Sequence, residues 1–423
     1  MNRTGKGKKT PNVKPVQKIE LSEKKIGLRL VLVVLLLVIA AGAFAYAINA
    51  FVSTGSGWQE IEADSAADTN CSDEFILMYH LGADGASATV ENKAIRQIYT
   101  DAMVKVYQLF HTKEEFEGVA NICYINQHPN EVIEVDDVLY HAFSVVQSYK
   151  NRVPYLAPVY TSYDDIFYCN DDSELVNYDP NLNEEVALAY QEIASFAQDA
   201  GAVDVQLLGD NKIMLYVSDA YLAYAEENYI TDFVDFFWMK NAFIVDYLAD
   251  VLTEKGYTRG TISSYDGFIR NLDESGEVLA YNIFDREEEG IYLAATMNYS
   301  GPQSIVYMRN YPMNSLDNRH YYELDNGQIR TSYLDVSDAV CKSTRNDLVA
   351  HTKAYGCAET LMQLAPVYIA DSFDKTAVSA LADKEIYTIY SEDYVIYYND
   401  ESIRLEDLYV KEDIAYTACY AVE

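Results

Sequence analysis

The run "LVLVVLLLVIAAGAFAYAINAFV", Leu30 to Val52, constrains this chain more than any other stretch. Asn49 is its only strongly polar side chain. At about 1.5 Å per residue, an apolar helix of this length spans a hydrocarbon core of about 30 Å. Residues 1–29 carry nine Lys or Arg against two Glu, with Lys24, Lys25 and Arg29 next to the run. That asymmetry predicts a cytoplasmic N-terminus and a body on the outer face of the plasma membrane. Ala43, Ala45 and Ala47 offer A-x-A spacing, but the run exceeds a signal peptide's usual core of about 7–15 residues. An uncleaved single-pass anchor is the expectation, and the membrane is the first partner it implies.

The formal charge of −35 lies wholly in the body, because the tail is basic. Such a body repels nucleic acid and anionic headgroups, so nucleic-acid binding is not expected. The six cysteines follow the apolar run, where an oxidising location permits disulfides, and spacing does not choose among the pairings. No C-x-x-C pair, Walker loop, G-x-S-x-G elbow or H-E-x-x-H occurs. The loop Gly82–Ser87, between a strand and a helix, reads as a connection rather than a phosphate cradle.

Residues 53–73 are small and polar and read as a linker, leaving 74–423 as the folded domain. "FILMYHLG" predicts a first strand. "ENKAIRQIYTDAMVKVYQLFH" predicts a helix with Ile95, Ile98, Ala102, Val106 and Leu109 on one face. "DDVLYHAFSVVQSYK" and "NEEVALAYQEIASFAQDAG" predict two more, the last closed by Gly201. Hairpins are expected around Gly209–Asn211, around Asp325–Gly327 and within "EIYTIYSEDYVIYYND". A helix near 354–364 precedes the last of these. Helices among mostly antiparallel strands give an α+β class. The 38 tyrosines are expected mainly in cross-strand packing.

"VDFFWMKNAFIVDYLADVLTEKG" poses the sharpest question. From Phe243 its apolar residues recur at helical spacing and Gly256 stops them, yet Phe236, Phe237 and Trp238 crowd the helix entrance. The order of elements, with this entrance, "YLAPVY", "YTRGTISSYDGFI", "TSYLDVSDA" and a late "AET" helix, resembles the extracytoplasmic flavin transferase (ApbE) family. That family moves FMN from FAD onto a threonine of a partner protein, using magnesium. The resemblance runs over roughly residues 75–400 and implies an ApbE-like α+β domain.

It also implies site residues. Against the family's DLGGIAKGYAxD, Asp235 matches the first Asp and Asp246 the last. Phe237 and Trp238 stand at the two glycines, and Asn241 at the lysine, with Lys240 adjacent. Tyr265 and Asp266 stand at the glycines of NLGG. Of SHILDPRTG, Asp335 is kept, Ser332 replaces the histidine and the PRTG loop is lost. Of FDPTV, Pro158 is kept. The resemblance therefore implies Asp235, Asp246 and Asp335 as cofactor-binding positions. Glu359 and Gln363 match the metal-binding pair of ADALATA and lie one helical turn apart. Bulky side chains at glycine positions would fill the space where flavin and pyrophosphate approach the backbone.

The expected protein is a membrane-held, flavin transferase-like module with eroded motifs, binding or scaffolding an envelope protein partner. An active magnesium-dependent FAD:protein FMN transferase is the alternative, with FAD and magnesium as its cofactors. An unrelated acidic envelope protein is the third reading.

Overall fold

Strand Phe75–Leu81 alternates strictly, burying Phe75, Leu77, Tyr79 and Leu81, as a strand with one covered face must. It belongs to a nine-stranded sheet seen in the computed structural model. The structure describes Val31 and residues 54–64, 73–83, 85–287, 290–313, 320–411 and 414–421. The chain divides into two compact units, Met1–Thr54 and Gly55–Glu423. The basic tail and the expected membrane segment 30–52 lie outside the described residues, apart from Val31. Among the described residues no helix is long and apolar enough to cross a membrane.

The sheet of the second unit runs, in spatial order, Gly57–Glu60, Phe75–Leu81, Gly260–Ser264, Phe268–Asn271, Gln303–Arg309, Asp347–Thr352, Tyr387–Glu392, Val395–Tyr398 and Thr417–Tyr420. Every neighbouring pair is antiparallel except the last, which is parallel. The two central strands, Gln303–Arg309 and Asp347–Thr352, are buried at every residue. Full burial follows from cover on both faces. Val306, Met308, Leu348 and Ala350 join the main core with helices Ala88–Leu109, Lys240–Glu254 and Cys357–Tyr368. Ile305, Tyr307, Val349 and Ile389 join a second core with the strands Val278–Glu287 and Gly290–Ser300. A smaller three-stranded sheet, Val132–Glu134, Lys212–Val217 and Val203–Gly209, completes the α+β architecture.

Several expectations are corrected. The linker expected over 53–73 is not wholly a linker, because Gly57–Glu60 pairs with Phe75–Leu81 at the sheet edge and Ile61 is buried. Its four residues are too few to declare a strand without that partner. Gly201 does not close its helix; the helix ends at Gln198, and the Gly201 N–H donates to the Asp199 carboxylate instead. The late helix begins three residues later than expected, at Cys357, and continues through Pro366 to Tyr368. Tyrosines are not mainly a sheet device: of the fully buried ones Tyr79 lies on a strand, but Tyr160, Tyr163, Tyr221 and Tyr368 lie on helices. Among the described residues the cysteines Cys123, Cys169, Cys341, Cys357 and Cys419 are free thiols, and Cys71 lies outside the description.

The three expected hairpins form, the first with a register shift between Leu207 and Gly209, and the expected helices form at Ala88–Leu109, Asp137–Ser148 and Glu184–Gln198. At the loop 82–87 the Gly82 N–H is taken by Glu91 of the following helix, at 2.7 Å.

Candidate functional site: a filled helix entrance

Helix Lys240–Glu254 packs Ala242, Phe243, Val245, Leu248, Ala249 and Leu252 into the main core, and this burial fixes where its entrance points. The segment leading into it is fastened from a distance. Asn126, buried on the short helix Ile122–Gln127, accepts from the N–H groups of Phe233 and Val234 and donates to the Val234 carbonyl at 2.9 Å. The Asp235 N–H donates to the Pro154 carbonyl, and its carboxylate accepts from the Phe237 N–H at 3.2 Å.

Phe237 holds φ at +43°, a left-handed conformation that glycine adopts freely and a bulky residue does not. The bend is held with a phenyl ring on it. That ring lies 4.4 Å from the ring of Tyr160. Trp238, at the second glycine position, donates its indole N–H to the Tyr160 hydroxyl at 2.9 Å. Tyr160 in turn donates to the Ser332 carbonyl at 3.1 Å. Tyr333 meets Trp238 edge-on at 5.0 Å and Tyr368 at 5.5 Å. The entrance and the "TSYLD" segment are therefore brought together by a stack of aromatic rings.

Beyond the rings lies a polar cluster. Asn241, at the lysine position, donates through one amide nitrogen to Glu74 at 3.0 Å and to Asp266 at 2.9 Å. Lys240 approaches Glu74 at 3.9 Å. Burial pushes the Asp266 carboxyl up to about 6, and the charge of Glu74 adds to it, against the Ser264 hydroxyl, the Asn241 amide and Arg309. Burial likewise pushes Asp235 up to about 6. Next to Asp266, Gly267 has φ +106°, and a Cβ there would collide with the Tyr307 carbonyl. Only glycine allows that approach of the two backbones.

A carboxyl raised in the folded state binds its proton there more tightly than in the unfolded chain. Its contribution to stability is complete below about pH 4 and gone above about pH 6. For Asp235 and Asp266, both partly accessible, this is on the order of 1–2 kcal/mol each. The melting temperature should therefore fall between these limits, and Asp266→Asn should make the fall shallower. An unchanged slope in that variant would assign the fall to other carboxyls.

The other expected site residues have structural partners. Asp246 accepts from the N–H groups of Cys357 and Ala358, both at 2.8 Å, and from Arg270 at 2.7 Å. It thereby caps helix Cys357–Tyr368, whose N-terminal residues carry no capping side chain of their own. Asp335 faces Lys342 at 2.8 Å and accepts from the Ser337 N–H. Burial opposes its charge, but Lys342 and Ser337 outweigh it and hold the carboxyl below its usual range. Lys342 also pairs with Asp338 and Asp371, each at 2.8 Å. Glu359 and Gln363 share a helix face, and the Gln363 amide nitrogen donates to the Glu359 carbonyl and the Tyr149 hydroxyl.

Among the described residues no group of three or more His, Cys, Asp or Glu side chains is placed to hold a metal ion. Glu359 and Gln363 offer one carboxylate and one amide oxygen, so a magnesium ion held there would take most of its six oxygens from water or a ligand. Tyr160 and Asn126 were not legible as site-forming residues. Asn241 and Asp266 stand in the motifs that carry the resemblance, but the hydrogen bond between them is visible only in the structure.

No protein-family model matches the sequence, and no curated protein does. Solved structures do. The ApbE protein from Thermotoga maritima superposes with a TM-score of 0.52 at 12% identity, over 82% of this chain and 96% of that one. A single-substitution variant of the flavin transferase ApbE from Vibrio cholerae gives 0.50 at 12% identity, over 78% and 92%. The fold is ApbE-like. At this identity the likeness establishes the fold alone.

Proposed function

We propose that this chain is a catalytically degenerate flavin transferase-like protein, held at the outer membrane face by residues 30–52, where it binds or scaffolds an envelope protein. The observation that carries this reading is Trp238, buried at a glycine position and hydrogen-bonded to Tyr160 where a flavin would need open backbone. Charge supports it as well. A pyrophosphate arriving at the entrance would meet a neutral Asn241 between the carboxylates of Glu74 and Asp266 in place of the family's lysine. Phosphoryl-type transfer rests on positioning and charge stabilisation; these substitutions weaken both and leave Lys240, close to Glu74, as the neighbouring cation.

Calorimetry with FAD, with and without magnesium, tests the reading. No heat of binding at high micromolar FAD is expected in either condition. Tight, magnesium-dependent binding would reverse it in favour of an active FAD:protein FMN transferase, with a threonine-bearing partner protein as the next substrate to assay.

A further inference from the structure

The hairpin Val278–Glu287 and Gly290–Ser300 packs on the second core, and its first strand is an edge. Its three-stranded sheet runs Arg404–Glu406, Gly290–Ser300, Val278–Glu287, and among the described residues no strand pairs with the far side of the last. Ten residues is long for an edge strand, which proteins ordinarily keep short or charged. Here the span Val278–Phe284, "VLAYNIF", is uncharged, in a chain with a formal charge of −35.

Register shows which backbone groups face the open side. Glu287 pairs with Gly290 across a two-residue loop, and a pair that closes such a loop exchanges its hydrogen bonds. Alternation then ties Asp285, Ile283, Tyr281 and Leu279 to the neighbouring strand. The register shift near Ile283 comes from an extra residue, Ala294, on the other strand, so alternation along this one is unbroken. Val278, Ala280, Asn282, Phe284 and Arg286 therefore turn their N–H and C=O groups outward. The Asn346 amide confirms the direction, donating to the Arg286 carbonyl at 2.7 Å. Among the described residues nothing bonds the outward groups of the other four. Val278 is also 71% exposed.

We propose that this edge pairs antiparallel with the same edge of a second copy of the chain, about a two-fold axis at Tyr281. That register sets Val278 opposite the partner's Phe284 and Ala280 opposite the partner's Asn282, and the reverse. All are outward-facing residues, so each pair exchanges both hydrogen bonds, and the exposed Val278 gains an aromatic cross-strand neighbour. An axis at Ala280 would leave Phe284 opposite Gly276, outside the strand, and an axis at Asn282 would require Arg286, whose carbonyl Asn346 already holds. Glu277 and Asp285, which bound the span, are held within their own copy by Arg259 at 3.6 Å and Tyr416 at 2.9 Å. The two-fold contact uses up both open edges, so assembly closes at the dimer. The contact does not depend on the reading of the helix entrance.

Sedimentation equilibrium of the full chain in density-matched detergent, at physiological ionic strength, should find a dimer. Charges more than about 8 Å apart are largely screened there, so the acidic bodies do not forbid contact. Ala280→Pro removes an N–H that the neighbouring strand does not use, which an edge tolerates. Val278→Asp sets a carboxylate against the partner's Phe284. Both variants should be monomeric and keep the parent's far-ultraviolet circular dichroism. Hydrogen exchange in the parent reads the contact residue by residue. The N–H groups of Ala280, Asn282 and Phe284 should gain protection as concentration rises, whereas those of Leu279 and Tyr281 are protected throughout. A parent that stays monomeric at high micromolar concentration would overturn the proposal. So would a dimer that persists in both variants, or one that leaves Ala280 and Asn282 exchanging as in the monomer. Should Ala280→Pro misfold, Val278→Asp and the parent's exchange decide.

Discussion

Asp246→Ala should destabilise the fold by about 3 kcal/mol, the low end of the cost of breaking a buried ion pair, because Arg270 stays partly accessible. Two losses combine. Arg270, in contact with Asp246 at 2.7 Å, would keep only Asp250 at 3.8 Å as an ionic partner. Helix Cys357–Tyr368 would also lose the acceptor for its first two N–H groups, and a lost cap alone costs about 0.5–2 kcal/mol. Gly356 is part of the same joint, since a Cβ there would run into the Asp246 carboxylate. Denaturant unfolding at neutral pH measures the loss, with Asp246→Asn expected to fall between the parent and alanine. A loss below about 1 kcal/mol, no more than an exposed ion pair is worth, would show that Asp246 is not a structural tie. Its assignment as a cofactor position would then regain force.

Trp238→Ala should cost about 3–5 kcal/mol, as truncations of large buried aromatics do. The indole fills space against Tyr333 and satisfies the Tyr160 hydroxyl, so its removal leaves a void and weakens the tie to Ser332. Phe237→Gly should cost less. It removes a ring contact but also relieves a left-handed backbone strain worth on the order of 1–3 kcal/mol. The double variant reopens the entrance and separates steric from electrostatic closure. It should still fail to bind FAD, because Asn241, Glu74 and Asp266 remain in place. Recovery of binding would show that the rings alone close the site, and that the neutral amide in place of lysine is tolerated.

Elements with a strong local period were legible from the chain. Helix Lys240–Glu254 declares itself by its apolar spacing and by Gly256, whose φ of +83° lies just beyond its end. The hairpin at Gly209–Asn211 does so through its turn residues, all with positive φ. The crowding of the helix entrance could be read as well, since Phe236, Phe237 and Trp238 have volume whatever surrounds them. Strand Gly57–Glu60 could not, because four residues with weak alternation become a strand only by pairing with Phe75–Leu81.

The sequence by itself determined the period of the longer elements and the chemical type at each position of the ApbE-like pattern. It also determined the separation of a basic, apolar N-terminal region from an acidic body. Tertiary structure alone decided what those side chains touch. Asp246 caps a helix 111 residues later in the chain, and Asn126 fastens a segment 108 residues away. Periodicity reflects neighbours along the chain, whereas a hydrogen bond needs two groups within about 3 Å. Only the packed fold brings residues that distant in sequence to such a distance.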